Sequence, residues 1–155
     1  MEEEKIIDMV MKNLKQLNEL SLDNSKKIIG LIEAYAEKKG VEVVISICNA
    51  HGNMIAVCSM DDAYIASFDL SMKKAYTAVA LKMSTKQLGQ LAQPGQSLYG
   101  VDKIDNGKIV IIGGGIPLNI NGKIVGGLGV SGGNLEQDED IAEYGAQNWL
   151  KALQY

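Results

Sequence analysis

Residues 127–133, Gly-Leu-Gly-Val-Ser-Gly-Gly, satisfy two chemical motifs at once. Gly127 to Gly132 fits G-x-G-x-x-G, whose glycines let a dinucleotide pyrophosphate approach the turn between a strand and a helix. That use requires the first glycine at a strand end inside a βαβ unit, and here the glycines fall within a strand-like run with no such unit around it. Gly129 to Gly133 also fits G-x-S-x-G, the nucleophile elbow of α/β-hydrolases. Those enzymes place the acid and the histidine after the serine, whereas the sole histidine, His51, precedes Ser131. What remains for Ser131, Gly132 and Gly133 is a hydroxyl and backbone N–H groups where a turn meets a helix. Such a geometry can hold an anion, and a plain turn is the competing reading.

His51 has the right chemistry for a metal or haem ligand. No second histidine, HExxH or Cys/His cluster accompanies it, so a dedicated zinc site is not indicated and a solvated turn histidine competes with the ligand role. Lys74 offers charge to a carboxylate or phosphate, against the reading that Lys73 and Lys74 merely wet a helix face. Asp61 and Asp62 are adjacent, so their side chains diverge, and a turn explains them better than a cation site. Cys48 and Cys58 form no CxxC and read as small hydrophobes in adjacent strands, expected near each other across a hairpin.

The elements that must position these groups follow from periodicity and turn chemistry. Ile6, Met9, Val10, Leu14 and Leu17 mark one face of a helix from Glu3 to Leu20, with Glu2, Glu3 and Glu4 at its positive end. A second helix starts at Ser21 or Asp23 and stops at Gly40. Val41 to Cys48 and Met54 to Met60 form a hairpin around Ala50-His51-Gly52-Asn53. The next helix, Ala66 to Met83, aligns Phe68, Met72, Ala75, Tyr76, Val79 and Ala80 as its apolar face, with Lys73, Lys74 and Thr77 largely opposite. A short helical turn follows Ser84 or Thr85, and an ordered surface loop runs from Gln93 to Gly107. Ile109 to Ile112 and Ile124 to Val130 flank Asn121-Gly122 as a second hairpin, and Leu135 to Leu153 is the last helix. The order predicts one antiparallel sheet with helices against its faces. Gly113–Gly115, Gly126, Gly127 and Gly129 stud that hairpin, so a ligand, a helix or another subunit must approach its backbone closely.

Composition bounds the function. With 155 residues, 46% hydrophobic, the chain supports one domain with a real core. A formal net charge of -4 and 5% aromatic content argue against a nucleic-acid partner. No apolar run reaches membrane-spanning length, and Met1-Glu2-Glu3-Glu4 is acidic where a signal peptide is basic, so a cytoplasmic protein is expected.

Four segments resemble the GlcG/HbpS family of haem-binding or haem-degrading domains, also found at the C-terminus of PduO-type proteins. They are Ser67 to Ala80 (SFDLSMKKAYTAVA), Leu91 to Gly100 (LAQPGQSLYG), Gly113 to Leu118 (GGGIPL) and Val125 to Asp138 (VGGLGVSGGNLEQD). The resemblance implies an α/β (α+β) fold, a profilin-like three-layer α/β/α sandwich with an antiparallel sheet of about five strands. It implies residues 21–155 as the GlcG/HbpS-like domain and residues 1–20 as an additional N-terminal helix. It further implies a homo-oligomer, dimer to octamer, and a small ligand such as haem or a corrinoid, with links to cobalamin, diol or glycolate metabolism. Candidate ligand-binding residues are then Lys74, Gly114, Gly115, Pro117, Gly129, Ser131, Gly132 and Gly133. If haem binds, elimination among the usual axial donors leaves His51 first and Tyr99 second, with a propionate at Ser131 to Asn134. Two family positions depart here: the aspartate of V-x-D-x-x-G is Asn49, and the arginine of R-x-D-G-A has no counterpart in Ser59 to Ala63. A charged clamp is thereby missing. A ligand-free assembly module and an enzyme on a small hydroxy or oxo acid are the alternative readings.

Overall fold

A computed structural model describes residues 1–18 and 20–153, and the side chains of 1–12 and 20–153. Helix α1 (Glu2–Asn18) precedes α2 (Leu22–Lys39), the hairpin β1 (Val44–Asn49) and β2 (Met54–Ser59), α3 (Ile65–Ala80) and α4 (Thr85–Leu91). The hairpin β3 (Gly115–Ile120) and β4 (Lys123–Ser131) follows, then α5 (Leu135–Ala152). The helix starts and stops are those the caps dictate. Ser21 accepts from the N–H of Asn24 at the start of α2, and Gly40, at φ 69°, ends it with a left-handed turn. Asn134 and Gln137 form a reciprocal capping box on α5.

The sheet has four antiparallel strands in the order β2-β1-β4-β3, one fewer than the resemblance implied. Helices α2 and α5 cover one face and α3 the other, which gives the three layers. Ile28 and Ile32 of α2, Ile45 and Ile47 of β1, Leu128 and Val130 of β4, and Ile141 and Trp149 of α5 make the main core between sheet and helices.

The α3 face is built differently. Gly127 and Gly129 alternate with Leu128 and Val130, so they point at α3, and an added Cβ at Gly129 would meet the Ser71 carbonyl and, at 2.7 Å, the Ala75 nitrogen. The body that approaches the glycine-rich strand is therefore a helix of the same chain. This closeness shifts the buried face of α3: Ser67, Ser71, Lys74, Thr77 and Ala78 are buried beside the expected Ala75 and Val79, while Phe68 is 47% and Ile65 97% exposed. Small side chains at Ser71 and Ala75 let the backbones meet over Gly127 and Gly129.

Two further expectations need correction, and α1 forms as expected. Ile109 to Ile112 is not a strand, because the Val110 N–H donates to Thr77 Oγ1 and not to a sheet partner, and pairing begins only at Gly115. Cys48 and Cys58 are not neighbours: Cys58 pairs with Ile45, and a register shift sets Cys48 against Met54. Helix α1 forms, but its Ile6, Ile7, Met9, Val10 and Met11 are exposed, and α1 has no substantial packing partner among the described residues. The side chains of Leu14 and Leu17 lie outside the described residues.

Two glycine substitutions separate the close approach from ordinary propensity. Gly129→Ala should lose about 1–3 kcal/mol or more by overpacking, a fall in melting temperature on the order of 5–10 °C. Gly30, in the middle of α2 with nothing near its absent Cβ, should gain about 0.5–1 kcal/mol as alanine. Thermal denaturation of both variants decides, and a Gly129→Ala protein that melts like the wild type would remove the helix-on-backbone explanation.

Candidate functional site

Lys74 is fully buried where α3 crosses the C-terminal end of β4. Its Nζ donates to the Val130 carbonyl at 2.8 Å and to Asp138 Oδ2 at 3.0 Å. Asp138, in the first turns of α5, also accepts from the Gly133 N–H through Oδ1 at 2.8 Å. Burial pushes the Lys74 ammonium below its usual value, and Asp138 pulls the other way. Of the groups expected to hold an anion at Ser131 to Asn134, the Gly133 N–H meets the protein's own Asp138 carboxylate, while the Ser131 hydroxyl bonds Ser67 and the Asn134 N–H bonds Gln137. Asp138 stood in the sequence only as one of several acids near the start of α5. The signal that would have singled it out is an acid one turn after a Gly-Gly-Asn cap.

The remaining candidates around this centre are structural in their contacts. Gly114, at φ 119°, accepts from the Val130 N–H, and its absent Cβ leaves room for Lys74 Nζ at 2.9 Å. Gly115 donates its N–H to Thr85 Oγ1 at 2.8 Å. Buried Ser131 donates its hydroxyl to Ser67 Oγ at 3.2 Å. Gly132 lies against the backbone of Glu42 and Val43, and Gly129 lies under α3. Pro117 sits on the edge strand β3 opposite Gly127, a place where its missing N–H costs no central hydrogen bond.

His51 stands apart from that centre. Asn49 pairs with Gly126 and Val44 with Ser131, so the turn bearing His51 and the loop after Ser131 lie at opposite ends of β4. Five residues of strand set those ends roughly 16 Å apart. Asn49 Oδ1 holds the turn by accepting from the N–H groups of His51 at 2.9 Å and Asn53 at 3.1 Å. The departure from aspartate at Asn49 therefore keeps the acceptor that the turn needs and removes only the charge. His51 is exposed at the rim of a cleft of about 440 Å³ walled by Leu20, Ile124 and Val125, with Lys123 beside them. Gly52 packs on the Tyr76 ring, and Tyr76 donates to Asp105 at 2.5 Å, so the turn is braced by α3.

Other donors are poorer. Cys48 is buried, with its thiol donating to the Ala75 carbonyl, and burial pushes it up to about 11. Tyr99 is exposed beside the Lys103 ammonium. A second cleft, of about 540 Å³, lies between α4, Ile111 to Gly113 and the start of α5, and the Lys86 to Glu139 ion pair, at 3.0 Å, lies on its rim. Three of the motif segments converge there, but it holds no imidazole, thiol or phenol. Among the described residues no cluster of three His, Cys, Asp or Glu side chains could hold a metal ion, and no helix is long and apolar enough to cross a membrane.

The buried pair predicts strong coupling. Lys74→Met and Asp138→Leu should each cost about 3–5 kcal/mol because each strands a buried charge. The double variant should lose far less than the sum, keeping a deficit of about 1–2 kcal/mol for the unpaired Gly133 N–H. Urea denaturation of the four proteins measures this, and additive losses would show that the two charges do not act as a pair.

Comparison with known proteins places this geometry. Residues 20–147 match the family described as haem degrading protein HbpS-like. A 15.0 kDa protein of the dhaT-dhaS intergenic region of Citrobacter freundii is 42% identical over 133 residues, 86% of this chain and 94% of that protein. The corrinoid adenosyltransferase PduO of Salmonella typhimurium is 47% identical over 108 residues, 70% of this chain but only 32% of PduO. The chain therefore spans about a third of that relative. The solved PduOC:heme complex superimposes with a TM-score of 0.79 at 41% identity, covering 83% of this chain and 94% of that one. With the alternating glycines of β4 and the three-layer sheet already in place, these matches establish that the chain belongs to the HbpS-like family.

Proposed function

We propose that this chain binds haem or a related tetrapyrrole in the cleft beside His51. The observation that carries this reading is that the sole histidine stands at a cleft with three apolar walls and one lysine. A tetrapyrrole needs that combination: an axial donor for the metal, apolar surface for the macrocycle and a cation for a propionate. His51 would hold the iron, the half-buried Ile124 would meet a ring face beside the edges of Leu20 and Val125, and Lys123 would pair a propionate. Haem, when bound, supplies a redox-active iron whose potential follows its axial ligand. The propionate role moves from Ser131 to Asn134, which Asp138 already occupies, to Lys123. The relative solved with haem supports the ligand class, and the corrinoid name of the PduO relative supports a corrinoid as the alternative tetrapyrrole. The two unpaired cysteines fit a reducing, cytoplasmic setting.

We further propose that the domain self-associates. Tyr64, Ile65 and Phe68, turned outward because α3 presents its small side to the sheet, leave an apolar patch at the start of α3. In light scattering, Phe68→Glu should reduce the mass of the assembly, and a wild-type monomer at micromolar concentration would remove this reading.

The binding reading is tested by titrating wild type and His51→Ala with ferric haem, followed by the Soret band. His51→Ala should shift the band and weaken binding by about tenfold or more, consistent with loss of an axial imidazole. Lys123→Ala should leave the band in place and weaken binding by a smaller factor. An unchanged band and affinity in His51→Ala would exclude this cleft, and Tyr99→Phe then tests the second donor. A parallel cobalamin titration separates the two ligand classes.

A further inference from the structure

Helix α1 is at odds with the rest of the molecule. It lies outside residues 20–147, the part that matches the family, and among the described residues it has no substantial packing against the sheet. Yet it is strongly amphipathic. Ile6, Ile7, Met9, Val10 and Met11 are 47–62% exposed, a second apolar surface besides the patch at Tyr64, Ile65 and Phe68. At about 100° per residue these positions spread over about 200° of the helix circumference. A single neighbouring helix covers a narrower stripe than that, so the width calls for more than one partner helix around α1. A helix of this length is marginal alone in water, which makes packing of its apolar arc the condition for its stability.

The charge pattern selects the partner. Glu2, Glu3, Glu4 and Asp8 face a single Lys5 in the first half of the helix, whereas Lys12 and Lys15 stand in the second half with no acid between residues 9 and 18. Two copies laid antiparallel bring each acidic half against a basic half, and two laid parallel set the three glutamates of each copy side by side. An anionic lipid surface would meet the same acidic end. We propose that α1 is an assembly helix that packs antiparallel against the α1 helices of other copies of this chain, forming a small helical bundle that links the domains. This contact is independent of the apolar patch at Tyr64, Ile65 and Phe68.

The test uses the full chain. Light scattering of the Ile7→Glu/Val10→Glu double variant should give a mass at least twofold below that of wild type, with the domain's thermal transition unchanged, since neither residue touches the core. The same pair of measurements in a Phe68→Glu background separates this contact from the domain patch. Carbodiimide coupling of mixed 14N- and 15N-labelled copies should yield cross-links between Glu2, Glu3 or Glu4 of one copy and Lys12 or Lys15 of another. Equal masses for the two proteins, or no such intermolecular cross-link, overturns the proposal. So does co-sedimentation of wild type with phosphatidylcholine and phosphatidylglycerol vesicles that the double variant lacks, which would assign α1 to a membrane surface instead.

Discussion

Backbone-to-backbone contact between α3 and the glycines of β3 and β4 is the constraint from which the rest of the molecule follows. Gly115 lies against the Lys74 carbonyl, Gly127 against that of Ala75 and Gly129 against that of Ser71, so three neighbouring inward positions on two strands carry no side chain. The helix sits closer to the sheet than any packing of leucines or isoleucines permits. Polar groups on that face must then pair with what is nearest. Ser46 and Ser71 share a hydrogen bond at 2.6 Å, Ser131 reaches Ser67, and Thr77 and Thr85 take the N–H groups of Val110 and Gly115. No buried side-chain nitrogen or oxygen among the described residues is left without a partner. A small-residue seam of this kind works only if it is fully satisfied, since each unpaired group would cost about 1–3 kcal/mol.

Lys74 follows from the same geometry. With α3 held so close, a long side chain on its inner face can only run along the sheet to its end, where the Val130 carbonyl and Asp138 meet it. The ion pair thereby joins α3 to β4 and the start of α5, which lie 56 and 64 residues further along the chain. Burial of an ion pair is no source of stability in itself, because desolvation offsets the attraction. Its effect is specificity: only one placement of α5 lets Asp138 satisfy both Lys74 and the Gly133 N–H.

Local chemistry was legible in the sequence, and long-range pairing was not. Ser21, Gly40 and Ser84 announced their caps, and Asn121-Gly122 announced the tight turn, whose residues have φ of 49° and 80°. The glycines of β4 announced close approach but not by what. The inward face of α3 was misread because periodicity counts hydrophobic residues, and here sterics, not hydrophobicity, chooses the face. Ile109 to Ile112 was misread for a related reason: a β-branched run bonds to whatever acceptor is nearest, and Thr77 reached Val110 first. Lys74 was singled out for its charge, yet the partner that accounts for its burial, Asp138, lies on an element whose placement no local pattern specifies.

This division bears on where a ligand can enter. The glycine-rich centre draws attention in the sequence because its residues are unusual, but their unusual character is consumed by the fold: among the described residues every buried side-chain donor there already has an internal acceptor. His51 is unusual for the opposite reason. Its turn is held by Asn49 and braced by Tyr76 through backbone groups and ring contact, so the imidazole itself is left free to act. A site built on a rigid turn whose own hydrogen bonds are complete can gain or lose a ligand without rearranging the sheet. The glycine motif and the candidate binding group are thus separate features, one serving the architecture and the other placed at its edge by that architecture.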